Sequence, residues 1–222
     1  MWVIQLGTDL MLFIRNNSHT ISEYTQNHFE LVLMAILISL ILWVPSGILL
    51  TKSDRWAKRV LAIANIIFCI PSLSLFAVFV TIPFLGLGRQ SALVALVLYA
   101  MMPLMRNVYD GVKNVDRNVL EAAKGMGMSS GLIMREIRLP LGMPVIFAGF
   151  RITVVMTTGI AAIATYIGER NLGRFISEGL VRSNTDMIIT GAILISVIAV
   201  GLDTFLGLIE KRVVPRGLRV RR

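Results

Sequence analysis

The stretch Glu121–Pro140, EAAKGMGMSSGLIMREIRLP, decides how the chain is read. It is a charged island flanked by apolar runs. From Val115, apolar residues recur at Val119, Ala122 and Met126, the spacing of one helical face. Asn114, Asp116 and Asn118 are cap-type residues near the start of that helix. Gly125 and Gly127 break it, because glycine tolerates positive φ. Ser129 or Ser130 can cap a second short helix carrying Leu132, Ile133 and Ile137. Pro140 disfavours helical geometry at Leu139 and marks the start of the next apolar run. The product is a helix–turn–helix knob whose small alanines admit a close-fitting partner groove. The competing reading is a pair of interfacial helices lying on their basic side chains.

Outward from this island the chain is a membrane protein by composition. Apolar residues make up 55% and charged residues 16% of 222 positions, far from the soluble balance. That length suits one integral domain of a few helices. A crossing needs roughly 20 apolar residues. Leu31–Leu50 meets this without a charge. Val60–Phe84 meets it too, with Pro71 and Pro83 tolerable where neighbouring helices satisfy the freed carbonyls. Ser91–Val108 is shortened by Pro103 and Arg106. Leu141–Ile167 contains Arg151, and Met187–Ile209 contains Asp203. The expected fold is all-α and integral to the membrane. It has five transmembrane helices at about 31–50, 60–84, 91–108, 141–167 and 187–209, and a cytoplasmic loop over about 113–140.

The charge distribution orients these spans. A net charge of +9 on a soluble protein would suggest nucleic acid, but here its placement points to the membrane instead. Sixteen of the 22 basic residues fall in three stretches: Lys52–Arg59, Arg106–Arg138 and Lys211–Arg222. Arg15, Arg89, Arg170, Arg174 and Arg182 fall on the other side. Basic residues favour cytoplasmic loops, so the N-terminus lies outside and the C-terminus inside. Residues 1–14, MWVIQLGTDLMLFI, are too short to cross and lack a basic start or a cleavage site. They read as an outer interfacial helix, or as a frayed terminus. The polar NNSHTISEYTQNH that follows reads as a loop.

Two ionisable residues sit inside spans. Such residues are functional candidates and usually have a partner. Arg151 and Asp203 are expected to form a buried ion pair between the fourth and fifth spans, with a role in solute passage as the alternative. Thr153, Thr157, Ala161 and Thr165 form a small-residue stripe on the fourth span, continued by Gly168. Small faces in membranes pack helices closely, and they can also line a path for a small solute.

No catalytic constellation is visible. His19 and His28 read as outer surface residues without a role, and Cys69 as a small core residue. No metal-ligand spacing stands out. No G-x-x-x-x-G-K-[ST] phosphate loop is present, so the chain is read as a non-enzyme.

The island also fits a known pattern. Glu121, Ala122 and Ala123 are followed after three residues by Gly127, then after nine more by Ile137, Leu139 and Pro140. That pattern resembles the coupling loop of type I ABC importer permeases. The stretches VPSGILL (44–50), IPSLSLFAV (70–78), Gly86–Val112, AGFRITVV (148–155) and LIEKRVVPRG (208–217) are similar to osmoprotectant permeases for glycine betaine, carnitine or choline. One departure is GERNLG at Gly168–Gly173, where that family tends to carry a GAGGLG-like turn.

The resemblance implies a permease domain over 28–210, an extracytoplasmic segment over 1–27 and a basic cytoplasmic tail over 211–222. It implies that Glu121, Ala122, Ala123, Gly127, Ile137, Leu139 and Pro140 couple to the ATPase. It implies two ATPase subunits carrying ATP and Mg, a second permease identical or homologous, and an extracytoplasmic substrate-binding protein. All would sit in a bacterial cytoplasmic membrane. Permeases for methionine and other amino acids share the five-span plan. A non-transporting membrane scaffold is the reading from a different class.

Overall fold

The computed structural model describes residues 11–214 and is helical throughout, with no strand among them. The first long helix, α1 (Ser18–Leu50), begins inside NNSHTISEYTQNH, which the sequence reading treats as a loop. That stretch has no glycine or proline to stop a helix. Asn17 Nδ2 donates to the Phe13 carbonyl at 2.9 Å and links the turn before α1 to it. Residues 11–16 are helical, with Met11, Leu12 and Ile14 exposed. The remainder of the expected interfacial helix lies outside the described residues.

The expected span over 60–84 is not one rod. Helix α2 (Asp54–Cys69) meets α3 (Ser72–Val80) at a bend of 94°. Pro71 sits at the break with φ −55° and ψ 134°, and its ring cannot continue the helix. Cys69, expected in the core, is exposed in the last turn before this break.

Helix α4 spans Arg89–Lys113 and α5 spans Arg117–Gly125. Helix α6 (Ser130–Ile133) runs through a π-helical turn (Met134–Arg138) into α7 (Leu139–Ala161). A 3₁₀ turn over Ala162–Ile167 follows, then α8 (Gly173–Val181) and α9 (Thr185–Val213). Among the described residues, four helical runs are long and apolar enough to cross a membrane, or five if the bent pair counts as one.

The chain forms two compact units. One gathers the chain up to Ile36 with Ile70–Val97 and Val154–Leu202. Its core packs Leu172, Phe175, Met187 and Ile195, with Tyr24 and Ile21 against them. His28, expected on the surface, is fully buried here, and its Nε2–H donates to the Thr158 carbonyl at 3.1 Å. The structure corrects the surface reading because α1 extends past His28 and turns it inward.

The other unit gathers Leu37–Cys69, Leu98–Thr153 and the chain from Asp203. Its core packs Leu61, Ala64, Met101 and Met105. Gly111 of α4 and Gly142 of α7 lie backbone to backbone. A Cβ at Gly111 would stand 2.8 Å from the Gly142 carbonyl oxygen, so neither position admits a side chain.

Candidate functional site

The knob is built by local capping chemistry. The Asp116 side chain accepts the Asn118 N–H at 2.7 Å and starts α5. The helix stops at Gly125, and Gly127 takes φ +79° to reverse the chain. Gly125 itself stays helical. Ser129 Oγ accepts the Leu132 N–H at 3.3 Å and starts α6. Ala123 is buried inside the knob, whereas Val119, Met126 and Leu132 are exposed. These three leave an apolar outer surface on an otherwise polar element. Glu121 is exposed and accepts from Arg117 Nε at 2.8 Å.

The second half of the knob differs from the sequence expectation. Leu139 is helical, with φ −66° and ψ −49°, although Pro140 follows it. The Leu139 N–H donates to the Met134 carbonyl five residues back. This wider turn relieves the proline ring's clash with the carbonyl four residues before it. The chain therefore stays helical from α6 into α7, and Ile137, Leu139 and Pro140 are half-buried along it.

Arg151 of α7 makes a two-pronged contact with Asp203 of α9, Nε to Oδ1 at 2.9 Å and Nη2 to Oδ2 at 2.8 Å. Its Nη1 donates to Glu210 Oε2 at 2.8 Å, a partner the sequence reading missed. Glu210 lies two turns beyond Asp203, on the same face of α9. That spacing was available in the sequence, but Glu210 falls past the predicted end of the span.

A second ionic cluster escaped the sequence reading entirely. Arg89 donates from Nε to Glu169 Oε1 and from Nη1 to Glu30 Oε2, both at 3.1 Å. Glu169 belongs to the GERNLG turn at Gly168–Gly173. Asn171 of the same turn donates from Nδ2 to the Ala161 carbonyl and accepts the Gly173 N–H from its Oδ1. Gly168 opens the turn at φ +92°. Of the small-residue stripe, Thr153, Thr157 and Ala161 are buried and Thr165 is half-buried. Thr153 Oγ1 donates to the Gly149 carbonyl at 2.7 Å.

Residues 43–215 match the family described as the binding-protein-dependent transport system inner membrane component. The chain belongs to that family. It is similar to the carnitine transport permease protein OpuCB of Listeria monocytogenes, with 36% identity over 210 residues and 95% of each chain covered. It is 36% identical over 210 residues to the glycine betaine/carnitine/choline transport system permease protein OpuCB of Bacillus subtilis, covering 95% of this chain and 96% of that one. Its fold matches a chain of the inward-facing MetNI methionine ABC transporter at a TM-score of 0.80 and 20% identity, over 90% of this chain and 99% of that chain. This member of the family is thus a multi-pass membrane protein with the type I ABC permease fold. As a transport component it is a permease and not an enzyme. Importers of this family combine the permease with ATPase and substrate-binding partners.

Proposed function

We propose that the chain is the permease subunit of an ATP-driven importer for a small compatible solute carrying a quaternary ammonium group, such as glycine betaine, carnitine or choline. Relatives named for these solutes align over 95% of the chain. Two permeases, two ATPase subunits holding ATP and Mg, and a separate binding protein complete the assembly in a bacterial cytoplasmic membrane. The bent pair α2–α3 counts as one span, giving five, with the N-terminus outside and the C-terminus inside. Basic stretches flanking α2, α5 and the end of α9 support that orientation. The permease domain covers 28–210.

The observation that carries the coupling role is the knob at Gly127, with Val119, Met126 and Leu132 exposed around it. These residues form the ATPase-docking surface, with Glu121, Ala122 and Ala123 on its first helix. A Cβ at Gly127 meets nothing within 4 Å, so a substitution there acts through φ and not through crowding. Gly127→Val forces a β-branched residue to φ +79°, a conformation it rarely adopts. Radiolabelled glycine betaine uptake by the assembled importer is expected to fall about fivefold to thirtyfold, the equivalent of about 1–2 kcal/mol of strain at the turn. Insertion into the membrane is expected to persist. Gly127→Asn, which tolerates the left-handed region, should retain most uptake. Full uptake by a well-inserted Gly127→Val permease would refute the docking role.

A further inference from the structure

Helix α2 buries one face and shows the other. Ala57, Leu61 and Ala64 are buried, the last two against Met101 and Met105 of α4. At 3.6 residues per turn, Arg55, Trp56, Arg59, Ile63 and Ile66 fall within about 100° of arc on the opposite side. Each of them is exposed. Lys52, also exposed, stands in the turn just before them. Charge and apolarity separate along this face. Its cations lie within Lys52–Arg59, and Val60–Cys69 carries no charge. All of it belongs to one compact unit.

The acid of this stretch is already taken. Asp54 accepts from Lys113 Nζ and from the Tyr109 hydroxyl, both on α4. Elsewhere in the same unit, Arg106, Arg117 and Arg135 each meet an acid close by in sequence: Asp110, Glu121 and Glu136. Among the described residues, the side chains of Lys52, Arg55 and Arg59 pair with no acid. The Arg59 guanidinium carbon lies 5.6 Å from the Trp56 ring centroid. That contact engages the charge and leaves the N–H donors unused. Tryptophan concentrates at the membrane–water boundary, and long basic side chains reach the headgroups there. The boundary on α2 therefore falls where the charges end, just after Arg59. Beyond it, Ile63 and Ile66 carry the same face about two turns into the apolar part of the span.

We infer that this face of α2 is a docking site for an anionic phospholipid. Arg55 and Arg59 hold the phosphate, Lys52 adds its charge beside them, and an acyl chain lies along Ile63 and Ile66. Guanidinium forks match phosphate oxygens geometrically, and three cations without acids select a headgroup of net negative charge over a zwitterionic one. An acidic protein surface is the other occupant that a basic face attracts. The apolar half of the stripe favours lipid, because it continues the face into the span. The bound lipid fixes the α1–α2 turn at the membrane surface, and the Asp54–Lys113 pair ties the same turn to α4. The site lies apart from the knob and is independent of the solute carried.

The test is native mass spectrometry of the full-length permease extracted in mild detergent with its ATPase partner. Phosphatidylglycerol and phosphatidylcholine with the same acyl chains are offered at equal concentration, and the ratio of the two bound lipids is read. Phosphatidylglycerol is expected to dominate. Arg55→Gln with Arg59→Gln should cut the ratio about 25-fold, each basic group near an anionic surface adding about fivefold. Arg106→Gln removes one cation of the same unit that already has an acid, and should leave the ratio unchanged. On the unaltered complex, added salt should lower the ratio by screening, which keeps the test independent of how any variant folds. Equal retention of the two lipids, a ratio insensitive to salt, or the same ratio after the double substitution would each overturn the site. Loss of the ATPase from the double variant with the lipid ratio kept would also overturn it, and would assign the face to a protein partner.

Discussion

Arg151 and Arg89 each hold two carboxylates, one arginine in each compact unit, and they hold them differently. Arg151 uses its full fork on two acids of a single helix, at 2.8 to 2.9 Å. Arg89 makes one longer contact with each acid and a third, at 3.3 Å, with the Asn27 carbonyl. Its partners come from α1 and from the GERNLG turn. The difference follows from surroundings. The acids of α9 project from an apolar helix, where lipid offers charge no alternative partner and the fork must satisfy it. Glu30 lies near the polar start of α1, where water shares the work. The Arg151 cluster therefore fixes two long helices to one another, and the Arg89 cluster fixes a turn.

The comparison predicts its largest effect at Arg151. Arg151→Gln removes the guanidinium that Asp203 and Glu210 share. Breaking a buried ionic cluster from one side costs about 3–5 kcal/mol. The Asp203 side chain is 39% exposed, so the lower end, about 3 kcal/mol, is expected. Folded yield after mild detergent extraction should drop sharply. Arg151→Gln with Asp203→Asn should recover only part of it, because Glu210 stays charged. Adding Glu210→Gln should recover most of the remainder. Complete recovery by the double variant would show that Glu210 contributes nothing.

Legibility in the sequence tracks how local the physics is. The caps at Asp116 and Ser129 and the reversal at Gly127 depend on neighbours within four residues, so residue types alone narrow each to two or three candidates, and the structure chooses among them. Arg151 and Asp203 stand out because each interrupts an apolar run. Glu210, Arg89, Glu30 and Glu169 lie at the ends of runs, where a charge looks ordinary, and only the fold brings them to their partners. His28 was misread for the same reason: its burial depends on Thr158, 130 residues away. The break at Pro71 and the π turn before Pro140 share another cause. Proline forbids the regular helix but does not say whether the chain will bend or widen its turn.

A smaller effect is expected at Arg89. Arg89→Gln removes the contact with half-exposed Glu30, worth about 1 kcal/mol or less, and the longer one with the Asn27 carbonyl. It also leaves Glu169 buried without its guanidinium partner, which adds about 1–3 kcal/mol. A loss of about 2 kcal/mol is expected, read as a lower midpoint in thermal unfolding of the detergent-solubilised protein. If Arg89→Gln proves as damaging as Arg151→Gln, the contrast between a helix-fixing and a turn-fixing cluster fails.

The finest test separates the two acids on Arg89. The Glu169 side chain is 8% exposed and the Glu30 side chain 44%. Glu30 also receives a 3.3 Å hydrogen bond from Gln26 Nε2, one turn away on α1, and water reaches it. Glu30→Gln keeps an acceptor oxygen in place and loses only a screened attraction, so a change below about 0.5 kcal/mol is expected. Glu169→Gln keeps one acceptor oxygen for Arg89 Nε but loses its charge where water cannot replace the interaction. The cost there should be about 1–2 kcal/mol, with the turn loosened before the helices are. Hydrogen exchange reads this directly. The Glu169 N–H bonds the Ala164 carbonyl and the Gly173 N–H bonds Asn171. Both amides should exchange faster in Glu169→Gln, while α1 amides around Glu30 stay protected in either variant. Equal effects from the two acids would mean that burial does not set the strength of this cluster. The GERNLG turn would then owe its shape to Asn171 and Gly168 alone.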